Sequence, residues 1–292
     1  MGFRPVLPAL AGLLLAGAAS AAVPAAAPTG RVPAVPGCRE FAGRLPNLPL
    51  RLCEQAGLQA GSATSAHGTP LYVRDLPATG ARLRVLVVGA IHGDELSAGA
   101  LAFHWLALAR ERQGAPLPQP VHWRFIPVLN PDGALARPPR RTNANGVDLN
   151  RNFPTPDWER AAASYWEQRT RRDPRRWPGP RPLSEPESRF LHEQLGRFRP
   201  HLIVAIHAPY GLLDFDGPSV PPAHLGRLQL DQVGIFPGSL GHYGGVHQGV
   251  PVVTIELPNA LRTPLDAEMR QMWLDLLRWM GDRLVAGGLP AR

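Results

Sequence analysis

The sequence predicts an α/β fold: a single domain with a mixed, largely parallel twisted sheet flanked by helices. Three observations carry that reading. Apolar, β-branched runs at Leu83–Val88, His201–Ile206 and Val250–Leu257 read as buried strands. Helix-patterned stretches alternate with them, and the loops after the runs are rich in polar and titratable residues. The chain, 292 residues with 44% hydrophobic and 18% charged, is also long enough to bury one large core.

Taken in order, Arg4, the apolar Val6–Ala19 and the small-x-small Ala19-Ser20-Ala21 have the make-up of a secretory signal peptide over residues 1–21. The apolar stretch is short, with Pro8 inside it and Pro24 soon after it, so no stable membrane insertion is expected after cleavage. Residues 22–65 form an Ala- and Pro-rich segment that holds both cysteines, Cys38 and Cys53. An even pair close in sequence predicts a disulfide in an oxidising compartment. Together these features predict a periplasmic or secreted protein.

Residues 66–292 are expected to form the catalytic domain. Within it, Leu83–Val88 is a strand closed by Gly89, and Glu95–Arg112 has a helical pattern. Val121–Leu129 returns to strand, Asn130-Pro131-Asp132-Gly133 is turn chemistry, residues 134–157 are irregular, and Trp158–Arg172 is a helix. Ser184-Glu185-Pro186-Glu187 has the capping-box form and predicts a helix to about Phe198. After the strands at 201–206 and 250–257, Thr263-Pro264 supplies an N-cap and a first-turn proline for the last helix. There Leu265, Met269, Met272, Trp273, Leu276, Leu277 and Met280 recur at helical spacing, a stripe expected to pack on the sheet.

The net charge is +8 and every basic residue is arginine, with a denser stretch from Arg160 to Arg181. No nucleic-acid-binding motif accompanies it, so nucleic acid is not an expected partner.

In sheets of this kind, sites form at the carboxyl ends of strands. Four features fall there. His92 and Glu95 lie three apart on a turn entering a helix and suit a zinc ion, although His-x-x-Glu is also found in plain surface turns. Arg141 to Phe153 lacks apolar periodicity, and its two arginines bracketing Asn and Asp groups suit an anion. His207 directly follows an apolar run, where a third ligand would fall. Glu256 sits inside an apolar strand, where a carboxylate is costly unless it is paired, metal-linked or functional. Two histidines, a glutamate and a second carboxylate make a kit for metal-activated water.

The sequence resembles the zinc carboxypeptidase family (the M14 peptidases) and, within it, the bacterial murein tripeptide amidases. The shared patterns are His92-Gly93-Asp94-Glu95, Asn130-Pro131-Asp132-Gly133, Gly146 to Phe153, His207-Ala208-Pro209, Pro237 to Gly241 and Thr254-Ile255-Glu256-Leu257-Pro258, in the family's order. The resemblance implies that His92, Glu95 and His207 bind Zn2+, with Asp148 orienting His92. It implies that Arg141 polarises the scissile carbonyl, that Asn150 and Arg151 hold the substrate's terminal carboxylate, and that Glu256 is general base and then acid. The implied partner is a small peptide, a murein stem peptide cut between γ-D-glutamate and diaminopimelate.

One position departs from the family. A mobile tyrosine is expected four residues before Gly238, and Gly234 stands there instead, with Tyr210 and Tyr243 as the nearby alternatives. Other readings of the same motifs are a general metallocarboxypeptidase, an aspartoacylase-like deacylase or an inactive wall-peptide binding module. The deacylase branch adds a β domain after its glutamate, whereas mainly one helix follows Glu256 here.

Overall fold

The structure, a computed structural model, describes residues 1–3, 37–111 and 120–285. The expected signal peptide lies outside the described residues, apart from its first three. Two short helices come first, α1 (Cys38–Ala42) and α2 (Leu50–Ala56), joined by the expected Cys38–Cys53 disulfide with its Cα atoms 5.6 Å apart. Cys38, Phe41, Leu45, Leu48 and Cys53 are buried in the same core as the residues after 66. The first strand, β1 (Gln59–Thr64), also precedes residue 66 and is already paired in the sheet. Residues 37–65 are thus an integral layer of the fold rather than a leader to it.

The remaining strands are β2 (Pro70–Leu76), β3 (Leu83–Val88), β4 (Val121–Ile126), β5 (Leu202–His207), β6 (Leu212–Asp216), the two-residue β7 (His224–Leu225) and β8 (Leu228–Gln229), and β9 (Val252–Glu256). Six of them join β1 in one seven-stranded sheet in the order β1-β2-β4-β3-β5-β9-β6. The central β4, β3, β5 and β9 run parallel, while β1, β2 and β6 are antiparallel to their neighbours. The mixed, largely parallel sheet follows from the alternating strands and helices.

The period of two along β3 divides the core. Leu83, Val85 and Val87 face one side, with the long helices α3 (Leu96–Arg110) and α7 (Asp266–Trp279). Leu86 and Val88 face the other, with α6 (Pro186–Phe198). Every residue from Leu96 to Phe103 is buried, which explains why α3 is apolar all round rather than amphipathic.

Three expected helix boundaries shift. The capping box at Ser184 does not form: Glu185 is the N-cap of α6 without a side-chain cap, and Ser184 Oγ donates to Glu185 Oε1 at 2.6 Å. Glu187 is fully buried and accepts instead from Ala66 N at 2.9 Å and Asn143 Nδ2 at 3.0 Å, so anchoring two loops outweighs capping. In α7, Leu265 is an extended N-cap, 79% exposed, and the buried stripe starts at Met269. The helix expected over Trp158–Arg172 is an α-helix only at Trp158–Ser164, then a π-turn at Tyr165–Arg169. The Asn130–Gly133 turn is the start of a short helix, Pro131–Leu135, in which the Asn130 side chain accepts from Gly133 N at 2.9 Å.

Candidate metal centre and substrate cleft

The loop after β3 carries His92 and Glu95 to the carboxyl edge of the sheet. Its course depends on Gly93, where a Cβ would lie 2.3 Å from the Gly133 carbonyl carbon. Two of the sequence's glycine-bearing motifs therefore meet backbone to backbone. His207 is the last residue of β5 and Glu256 the last of β9, and these two positions are register partners in the parallel pair. Both side chains therefore leave the sheet at one edge, where the loop from β3 meets them.

His92, Glu95 and His207 come together there, all buried, with one donor atom from each within 4.8 Å of the others. Glu95 Oε1 lies 2.8 Å from His92 Nδ1, and its Oε2 lies 3.0 Å from His207 Nδ1. The two imidazole Nδ1 atoms are 3.2 Å apart. His92 Nε2, on the far side of the ring, is 3.0 Å from Asp148 Oδ1, which directs Nδ1 at the cluster. Arg141 reaches the other Asp148 oxygen, Oδ2, from Nε at 3.1 Å and Nη2 at 3.0 Å, and Glu95 Oε1 from Nη1 at 3.5 Å. Burial alone would raise the Glu95 and Asp148 carboxyls. The facing cations win, His92 and His207 at Glu95 and Arg141 first at Asp148, and hold both below the usual carboxylate range.

Two imidazole nitrogens and one ionised carboxylate, converging in a buried pocket with a side open to the cleft, are a donor set suited to zinc. That set fits a metal, since the two Nδ1 atoms lie 3.2 Å apart and each also lies within 3.0 Å of a Glu95 oxygen, so three donor groups converge on one place.

Glu256 stands apart from this pairing. One side-chain oxygen receives the Tyr210 backbone N–H, while Oε2 is buried with no hydrogen-bond partner. Burial is the largest influence on its carboxyl and pushes it above the usual range, with Glu95 adding to the rise. Glu256 makes no ion pair with Arg141 or Arg151; Arg141 faces Asp148 and Glu95 instead.

Asn150 and Arg151 lie in a 3-10 turn, Leu149–Arg151, started by Asp148, whose side chain accepts from Asn150 N. Asn150 Oδ1 accepts from Leu240 N at 2.8 Å, leaving its Nδ2 as a donor. Arg151 is 6% exposed; its Nη1 donates to Asn150 O at 2.7 Å and its Nε is buried without a partner. Gly238, at φ +74, lets the chain pass there, since a Cβ would lie 2.0 Å from Arg151 O. His92, Glu95, Arg141, Asn150, Arg151, His207 and Glu256 all line one cleft of about 510 Å³.

The cleft also holds groups that sequence reasoning did not pick out. Asp214 and Asp216 project into it from β6, a strand whose alternation of Leu213 and Phe215 with Asp214 and Asp216 is legible in retrospect. Asp173, Arg175 and Arg176 reach it from the arginine-dense stretch, a charge signal with no visible target until the loop is folded. Of the two tyrosine alternatives, Tyr210 is 60% exposed at the cleft, whereas Tyr243 is buried in the core.

A mostly parallel sheet with this donor set at its carboxyl edge defines a class, and sequence comparison agrees. The chain belongs to the zinc carboxypeptidase family (M14 peptidases), whose profile matches residues 60–213. It is 33% identical over 152 residues to murein peptide amidase A of Escherichia coli (strain K12), and spans 57% of that protein's length. With murein peptide amidase A of Vibrio campbellii it shares 31% identity over 193 residues, covering 64% of this chain and 72% of that one. The crystal structure of the murein-tripeptide amidase of Escherichia coli O157 superposes with a TM-score of 0.53 at 28% identity, over 76% of this chain and 92% of that one.

Proposed function

We propose that this chain is a zinc-dependent peptidase that hydrolyses an amide bond next to a free carboxylate, its substrate being the γ-D-glutamyl–diaminopimelate bond of murein stem peptides. The observation that carries the reading is the His92, Glu95 and His207 donor set facing an unpaired Glu256 across a cleft lined by Asn150 and Arg151. The names of the two murein peptide amidases support the substrate. An exported protein, acting where such peptides occur, is consistent with the Val6–Ala21 signal and the disulfide.

In this reading His92, Glu95 and His207 hold zinc, with Asp148 fixing the His92 ring. Zinc bound there supplies a Lewis acid that polarises oxygen and makes water nucleophilic near neutral pH. Arg151 and the Asn150 amide grip the terminal carboxylate and set the scissile carbonyl over the cluster. Arg141 presents its remaining edge to the carbonyl oxygen as charge grows there. Glu256 Oε2, with no competing partner, accepts the proton of the attacking water and returns it to the leaving nitrogen.

The test is incubation of the zinc-loaded protein with L-Ala-γ-D-Glu-meso-diaminopimelate beside ordinary peptides with free C-termini, products being read by mass spectrometry. Release of diaminopimelate from the tripeptide is the expected result. Release of C-terminal residues from the ordinary peptides alone would make the chain a general carboxypeptidase, and release from neither would make it a binding module.

A further inference from the structure

The arginine-dense stretch does not end on the surface: its turn at Pro174–Arg176 is tied to the site at several points. Arg175 Nη2 donates to Asp94 Oδ2 at 2.7 Å, one residue from Glu95, and Asp148 N donates to Trp177 O at 2.8 Å. Asp173 Oδ1 caps the turn by accepting from Arg175 N at 2.9 Å, and the Asp173 carbonyl accepts from Trp166 Nε1 at 2.8 Å. A segment fastened to both loops of the metal cluster is a fixed wall of the cleft.

Within that wall Arg176 lines the cleft together with Arg151. Its one charge contact among the described residues is Asp173 Oδ2, 3.6 Å from Nε, which is too long for a hydrogen bond. Arg151 is itself buried with an unpartnered Nε, and the neighbouring Arg176 charge adds to the burial and to Arg141 in pulling the Arg151 guanidinium down. Two guanidiniums that repel each other across a ligand cleft are stabilised by anionic groups placed between them. A single terminal carboxylate occupies Arg151 and Asn150 and leaves Arg176 uncompensated.

We propose that Arg176 forms a second carboxylate-binding position beside Arg151, so that the cleft selects a leaving residue bearing two carboxylates over one bearing a single carboxylate. This rests on the amidase reading and specifies the part of the substrate on which its selectivity acts. Diaminopimelate and lysine differ by that one carboxylate and share the ammonium group, so the Asp214 and Asp216 side of the cleft meets the same charge in both.

The experiment compares kcat/KM for L-Ala-γ-D-Glu-meso-diaminopimelate and L-Ala-γ-D-Glu-L-Lys in the unmodified enzyme, R176Q, R176K and R172Q. A charge-assisted hydrogen bond at a half-exposed site predicts a preference for the diacid of about tenfold in the unmodified enzyme. R176Q should bring that ratio close to one, mainly through KM, and R176K should restore part of it. R172Q removes the same charge from an exposed arginine paired with Glu167, and should keep the ratio. Calorimetric binding of free meso-diaminopimelate and L-lysine to the zinc-loaded protein gives a readout independent of turnover. A preference for the diacid that R176Q abolishes there, without cleavage of either tripeptide, would support the second position while removing the amidase reading. Cleavage with an identical ratio in R176Q and the unmodified enzyme would overturn the second position and leave the amidase reading in place.

Discussion

The two sides of the cleft treat charge in opposite ways. On the β3 side, His92, Glu95, Asp148 and Arg141 form a closed chain in which each charged group faces one of opposite sign within 3.5 Å. On the β9 and β6 side, Glu256, Asp214 and Asp216 make no ion pair with any described residue, and burial, as the main cause, raises all three carboxyls. A buried pair is costly to assemble but rigid, whereas a buried carboxylate without a cation is held ready to change its proton count. In the proposed function the first side holds the metal and the second exchanges protons and contacts substrate.

The largest expected effect tests the unpaired side. Glu256→Gln should keep fold and zinc while turnover of the murein tripeptide falls by about a thousandfold. Near-normal turnover in a folded, zinc-loaded E256Q protein would end the proton-transfer role. On the paired side, His207→Ala should lower zinc affinity by roughly a hundredfold or more, read by competition with a chelating dye. Stoichiometric zinc retained against the chelator would remove His207 from the ligand set.

A smaller change separates holding from binding. Asp148→Asn should weaken zinc by about 10–100-fold, because His92 loses the acceptor that aims it. It should also destabilise the metal-free protein, since the part-buried Arg141 then meets a neutral amide in place of its nearest carboxylate. Urea unfolding of apo D148N matching the unmodified protein would show that Arg141 finds another partner.

The smallest effect is a pH dependence on the unpaired side. Burial, and then Asp214, pushes the Asp216 carboxyl up to about 6 from a model-peptide value of 3.8. A carboxyl raised in the folded state contributes stability that is present below its unfolded value and lost as pH rises through the folded one. Between pH ~4 and ~6 the protein should therefore lose stability relative to Asp216→Asn, on the order of 1–2 kcal/mol. Denaturant unfolding of the pair at pH 4 and pH 7.5 measures this, and a constant difference would mean that Asp216 is solvated.

The two sides were also unequally legible in the sequence. Most of the paired side was visible because its members lie in short motifs, His92 with Glu95 and Asp148 with Asn150 and Arg151, each at a strand end or in a polar loop. Glu256 was visible as a carboxylate in an apolar strand. Asp214 and Asp216 were not, because β6 is an edge strand of five residues beginning after the Tyr210-Gly211 turn, too short to stand out by period. Arg176 stood only as one arginine of a dense stretch, since nothing local tells that Trp177 is bonded to Asp148. The helix ends that moved, at Ser184 and Thr263, share that cause: Glu187 found tertiary partners stronger than a cap, and Leu265 lies where no core reaches it.

The pairing of His207 with Glu256 in the β5–β9 register has a consequence for how errors can arise. Adjacent strands are spaced about 4.8 Å apart, so the backbone gap between His207 and Glu256, metal ligand and proton acceptor in the proposed function, is a lattice constant of the sheet. Positions along a strand are discrete. A slip of one residue would turn Glu256 to the opposite face, and a slip of two would carry it about 7 Å along the strand. The backbone alignment of His207 with Glu256 is thus digital, either right or wholly lost.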